Sequence, residues 1–293
     1  MGAPIRARLS SLSARIGSLV RSIENGDEAK IEEAVRRLSG SRRAFAPLVF
    51  AVGAFALLFD GLRLLLSNWR LTLVQIPPAV WIWLAMADFR AHVLHDQSFV
   101  LVDSPVLFAT MLAIVAITVA CFFLNAVFAF AITQPGAPEI RPAVAEARRH
   151  GRPIALSGGI VGLMLAISTT IAPRWGSPWF ALSLGIVTAV MMVAYVAVPS
   201  RLIGTKTVQT RRDKLVTSAV AGVLGFTVSL PPWILGRVGL LMIGSDTLLI
   251  LGIVLLAVGV TLQAGATGAV RAIKMSASLA GGDKAAGKKP EKP

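Results

Sequence analysis

The sequence predicts an all-α polytopic transmembrane helical bundle, and three observations carry that prediction. Hydrophobic residues make up 55% of the 293, charged residues only 15%, and the mean hydropathy is +0.72. That is too little charge to cover a water-soluble surface of this size. The apolar residues gather in blocks of roughly 17 to 28, matching the ~20 residues a helix needs to cross ~30 Å of hydrocarbon; the short alternating segments of an outer-membrane barrel are absent. The basic residues behind the net charge of +14 concentrate at block ends. This is the topology signal of a membrane protein, so no nucleic-acid partner is expected.

The chain divides into three regions: an amphipathic cytoplasmic segment over residues 1–43, a membrane domain over 44–270 and a basic disordered tail over 271–293. In the first, Ile5, Leu9, Leu12, Ile16, Leu19 and Ile23 recur at steps of four and three, one helical stripe among arginines. A basic amphipathic helix of this kind is expected on the lipid surface. "DEAKIEEAVRRL" reads as a second, shorter helix with Asp27 at its N-cap. No secretory signal is expected, because residues 1–43 lack an apolar core followed by a cleavage site. The lone Cys121, inside an apolar block, rules out a disulfide framework.

The membrane domain contains seven apolar blocks: Ala44–Leu66, Leu71–Ala87, Pro105–Thr133, Ile154–Ala172, Trp179–Val198, Val216–Leu235 and Thr247–Val270. Lys and Arg number nine in 1–43, four in 134–153, five in 199–215 and six after Val270, whereas Arg90, Arg174 and Arg237 each stand alone between blocks. Basic loops belong in the cytoplasm, and seven crossings would put the nine N-terminal charges outside. Six crossings with both termini inside resolve the conflict. The favoured non-spanning piece is Ala44–Leu66, re-entrant or interfacial, with Pro47 and Gly53 and interrupted by Asp60, Gly61 and Arg63. The rival is Leu71–Ala87, with Gln75 and the Pro77-Pro78 pair. In the favoured version the crossings form three helical hairpins in the plasma membrane.

Few polar groups interrupt the blocks. Asp60 and Arg63, three apart, share a helical face and can neutralise each other at a membrane boundary. Asn125, one turn beyond Cys121, is expected to make an interhelical hydrogen bond. Pro77, Pro78, Pro231 and Pro232 withdraw backbone donors from Leu73, Val74, Thr227 and Val228 and should kink their helices. The paired prolines in "LVQIPPAVW" and "FTVSLPPWI" echo each other faintly; chance is the leading reading, and a parallel internal duplication of the kind some transporters use is the alternative. Gly158 and Gly162, and Gly252, Gly259 and Ala266 at steps of seven, read as close-packing stripes. "LSGGI" looks like an ATPase signature, but no phosphate-binding loop accompanies it, and Ser157 has no second histidine nearby to act as base.

The outer connection "DFRAHVLHDQ" holds two of the three histidines. His92 and His95 share a helical face, and Asp96 could join them on a metal. The spacing lacks the His pair four apart, flanking a Glu, of a strong zinc motif, so a solvated loop is the leading reading and metal binding the alternative. On the opposite side, Arg148, Arg149, Arg211 and Arg212 are the expected contacts for anionic lipid or a partner.

From "FFLNAVFAFAI" into "PEIRPAVAEARRHGRP" the chain resembles a loose group of bacterial, especially actinobacterial, polytopic membrane proteins. In those proteins an Asn-containing helix runs into an Arg-rich cytoplasmic stretch and then re-enters the membrane. The similarity covers residues 60 to 215 or so. It implies a multi-helix membrane protein with no catalytic residue and no cofactor to carry over. The expectation is a non-enzymatic, transport-related or accessory membrane protein. Its expected partners are a bilayer containing anionic lipid and either another protein or a second copy of the chain. A membrane enzyme or metal-binding protein built on His92, His95 and Asp96 is the alternative.

Overall fold

The computed structural model describes residues 61–63, 65–94, 97–99, 104–134, 138–204, 211–245 and 247–270, with the backbone alone at 94, 104, 204, 211–221, 224 and 269. Among them the structure is helical without strands. The helices are α1 (Trp69–Phe89), α2 (Ser104–Ile132), α3 (Ile140–Arg149), α4 (Gly151–Thr170), α5 (Ser177–Gly204), α6 (Arg211–Met242) and α7 (Leu249–Ala266). A π-helical turn, Arg90–Leu94, extends α1. Asn68 caps α1, its side-chain oxygen accepting from the Arg70 amide at 3.1 Å. A left-handed glycine, Gly176 at φ 104°, turns the chain from α4 into α5.

Five helical segments are long and apolar enough to cross a bilayer: Trp69–Val93, Pro105–Ile132, Gly151–Thr170, Ser177–Ile203 and Leu249–Ala266. The protein is therefore an all-α membrane bundle. The first of these segments contains the Leu71–Ala87 block, which runs through Pro77 and Pro78 as one continuous helix. α6 is 32 residues long and likewise runs through Pro231 and Pro232. Most of the Ala44–Leu66 block, with residue 60, lies outside the described residues.

Residue pairs at the interfaces fix the helix directions. Gln75 meets Asn125 and Trp81 meets Thr118, so α1 and α2 are antiparallel. Gly158 abuts Val119 and Phe122 while Gly162 abuts Val115 and Thr118, which makes α2 and α4 antiparallel too. α4 packs on α5, α5 on α6, and α6 on α7, and α7 closes back onto α1. α5 lies at the centre, touching α1 and α2 as well. Its inner stripe of Leu184, Val187, Met191 and Tyr195, at steps of three and four, is buried together with the adjoining Met192 and Val196.

The bundle exposes large apolar side chains around its outside, as expected where lipid replaces water, over an interior that mixes aromatic and aliphatic side chains with small and polar ones. On α7, Ile250, Ile253, Val254 and Val258 are exposed, while Gly252, Gly259, Leu262, Gln263 and Ala266 are buried. The predicted glycine stripe is a contact: a Cβ at Gly259 would stand 2.8 Å from Gly236 Cα, and one at Gly252 2.7 Å from the Ile243 amide. Backbones meet there because no side chain intervenes. Exposed tryptophans mark the two ends, Trp69 on α1 at one and Trp175 and Trp179 beside α5 at the other, as in an interfacial aromatic belt.

α3 is a finding beyond the predicted basic connection. Its Ala143 and Ala147 are fully buried, while Arg141, Arg148 and Arg149 point to the surface. It packs mainly on α2. The ring of His150, in the turn to α4, stacks on Phe130 at 5.5 Å.

Candidate functional site

The site begins with a backbone vacancy. Pro199, buried inside α5, has no N–H to give the carbonyl four residues earlier, which is that of Tyr195. Asn125, on α2, supplies a donor instead: its Nδ2 donates to the Tyr195 carbonyl at 2.6 Å. The other end of the same amide is equally engaged. Asn125 Oδ1 accepts from Thr267 Oγ1 at 2.6 Å and from Gln75 Nε2 at 2.9 Å, and Gln75 Nε2 also reaches Thr267 Oγ1 at 3.3 Å. All three side chains are essentially inaccessible to solvent, at 0 to 1% exposure.

One asparagine thus ties together α1, α2, α5 and the short 3₁₀ turn Thr267–Ala269 that follows α7. Each bond is interhelical, so sequence-local structure does not supply it. A second tie of the same kind lies on α5, where the Met192 carbonyl accepts from Ser229 Oγ of α6 at 3.2 Å. Trp81 Nε1 of α1 donates to Thr118 Oγ1 of α2 at 3.0 Å.

The cluster is not fully satisfied. Among the described residues, Gln75 Oε1 and both polar atoms of buried Gln263 lack a protein partner. Gln263 lies one turn before Thr267, on the same face of the chain. The Tyr195 hydroxyl sits beside the Cys121 thiol without a well-formed hydrogen bond. The groups in this cluster are neutral amides, hydroxyls and a thiol. They can orient helices or bind a neutral hydrogen-bonding molecule, but they carry no charge to balance an ion.

A different set of groups occupies the end where α1 finishes. His92 Nδ1 donates to the Gln97 carbonyl at 2.8 Å, which leaves Nε2 facing Asp88 Oδ1 at 3.4 Å. The imidazole stacks on Phe99 with ring centres 4.4 Å apart, and Phe180 of α5 meets it edge-on at 5.7 Å. The Arg237 guanidinium of α6 lies over the rings of Phe89, at 4.3 Å, and Trp233, at 4.9 Å. His92 is therefore a packed aromatic residue whose Nδ1 is held by a backbone carbonyl and whose Nε2 lies beside a carboxylate. His95 and Asp96 lie outside the described residues, and the described residues contain no group of three metal-ligating side chains.

At the opposite end, Arg148 and Arg149 are exposed on α3, and Arg149 Nη1 pairs with Glu146 at 3.3 Å. Arg152 and Arg201 are exposed at the adjoining ends of α4 and α5. Arg211 and Arg212 open α6, where the backbone alone is described. Of the predicted Asp60–Arg63 pair, Asp60 lies outside the described residues. Asn125 and His92 belong to separate places: Gln75, which Asn125 holds, is seventeen residues before His92, or ~25 Å along α1.

Asn125 is visible in sequence, whereas Gln75, Thr267, Tyr195, Pro199 and Gln263 do not stand out there as its company. Pro199 carries a usable signal. It names Tyr195 as the carbonyl in need of a donor, and Asn125 is the amide deepest in the apolar blocks. No family model, curated protein or solved structure matches this chain, so a reading of its function rests on its own geometry.

Proposed function

We propose that this is a multi-pass plasma-membrane protein of the accessory or scaffolding kind. Its rigid helical bundle presents a basic cytoplasmic face to anionic lipid headgroups. The supporting observation is α3: a ten-residue helix pinned to the bundle through buried Ala143 and Ala147, with arginines turned outward. Arg152 and Arg201 extend the same basic end. A helix held in this way keeps its charges at a fixed height and orientation. Each basic residue near an anionic surface contributes about 1 kcal/mol, or ~5-fold in local lipid partition. The interhelical ties through Asn125 and Ser229 suit a scaffold, because they fix helix register.

The test is the Arg148→Gln, Arg149→Gln, Arg211→Gln, Arg212→Gln variant in bilayers of mixed phosphatidylcholine and phosphatidylglycerol. Spin-labelled lipid reports which headgroup is enriched around the protein. The expected result is normal insertion with several-fold lower enrichment of phosphatidylglycerol. Unchanged enrichment would overturn the reading. Stoichiometric metal in purified protein, lost in the His92→Ala, His95→Ala variant, would favour a metal-dependent function at the other end.

A further inference from the structure

We propose that the cleft bounded by α4, α5 and α6 is a resident-lipid site, holding one acyl chain of an anionic phospholipid with its headgroup at Arg201. The cleft measures about 820 Å³, inside the ~300–1,000 Å³ typical of small-molecule and cofactor sites. Its walls are Leu156 of α4, Val190, Val193 and Ala197 of α5, and Phe226 of α6. Small residues on α5 create it, since Ala and Val there leave room between the larger side chains of the flanking helices.

Among the described residues, the polar side chains at the cleft lie toward one end. Ser157 is spent inside α4, its hydroxyl donating to the Pro153 carbonyl at 2.9 Å. Arg201 is exposed and charged at the end of the cleft nearest the basic face. From Arg201 to Val190 the cleft follows eleven residues of helix, or ~16 Å at 1.5 Å per residue. That is the depth of one leaflet, half of the ~30 Å hydrocarbon core. An acyl chain whose phosphate sits level with Arg201 therefore ends near the bilayer midplane, alongside Val190. The charge at one end and the apolar walls that the described residues form along the rest match an anionic phospholipid in both parts.

This site rests on the reading that the basic end faces anionic lipid, but it is separable from the surface arginines. The experiment is native mass spectrometry of the full-length protein released from bilayers of equal phosphatidylcholine and phosphatidylglycerol. One retained phosphatidylglycerol per chain is expected. Ala197→Trp, or Leu156→Trp from the opposite wall should the first variant fail to fold, fills the cleft and removes the retained lipid. Arg201→Gln keeps a lipid but lowers the preference for phosphatidylglycerol ~5-fold. Retention unaltered by both tryptophans, or a preference unaltered by Arg201→Gln, overturns the proposal. The variant lacking Arg148, Arg149, Arg211 and Arg212 should keep the cleft lipid. If that variant alone changes lipid behaviour, the cleft proposal fails and the surface reading stands; if only the cleft variants change it, the surface reading fails.

Discussion

Replacing Asn125 with alanine should reveal how the bundle compensates for a proline inside α5. The change removes two side-chain bonds, to Gln75 and Thr267, each worth about 0.6 kcal/mol in a membrane protein. It also takes the side-chain donor from the buried Tyr195 carbonyl, at a cost of about 1–3 kcal/mol. Together these predict a loss of roughly 2–4 kcal/mol. Pro199→Ala restores an N–H four residues after Tyr195, so the backbone can satisfy the carbonyl itself. Stability measured by reversible unfolding in bicelles should therefore show non-additivity. Pro199→Ala should help the Asn125→Ala protein by at least ~1 kcal/mol more than it helps the wild type. Additivity within ~0.5 kcal/mol would refute the idea that Asn125 answers the vacancy left by Pro199.

The packing predicts three further outcomes. Gly259→Ala places a methyl group against the Gly236 backbone and should cost ~1–3 kcal/mol by forcing α6 and α7 apart. Gly185→Ala, which meets nothing within 4 Å, should be neutral or slightly stabilising through helix propensity; thermal denaturation in detergent compares the two. Gln263→Leu removes a buried amide that has no protein partner among the described residues. It should leave stability unchanged or raise it by about 1 kcal/mol, and a clear loss in the same assay would mean that Gln263 holds an internal water.

Much of the fold was legible because helices in a bilayer are long, apolar and bounded by charge. The blocks beginning at Leu71, Pro105, Ile154, Trp179 and Thr247 each overlap a helix long and apolar enough to cross, the last of them overrunning it at both ends, and the glycine stripes became interfaces. The carbonyls freed by the paired prolines did not lead to the site. It formed at the single Pro199, whose freed carbonyl lies where α2 can reach it. Gln75 counted in sequence as a mark against a spanning helix; it is tolerated because Asn125 and Thr267 satisfy its amide nitrogen. Thr267 is distant from both in the chain, and only the closure of α7 onto α1 brings it in. Such partners are set by which helices are neighbours, a property periodicity does not encode. His92 stood out in a chain poor in polar groups; it packs against two phenylalanines with Nδ1 on the Gln97 carbonyl and Nε2 beside Asp88.

A basic face that meets anionic lipid requires the Arg-rich ends of the hairpins to lie in the cytoplasm. Side-resolved labelling of single cysteines introduced at positions 20, 68 and 97, with Cys121 replaced, reads this directly. Residues 20 and 68 should react only from the cytoplasmic side and residue 97 only from outside. Labelling of 68 and 97 from the same side, or of 20 from outside, would contradict six crossings with the basic face within.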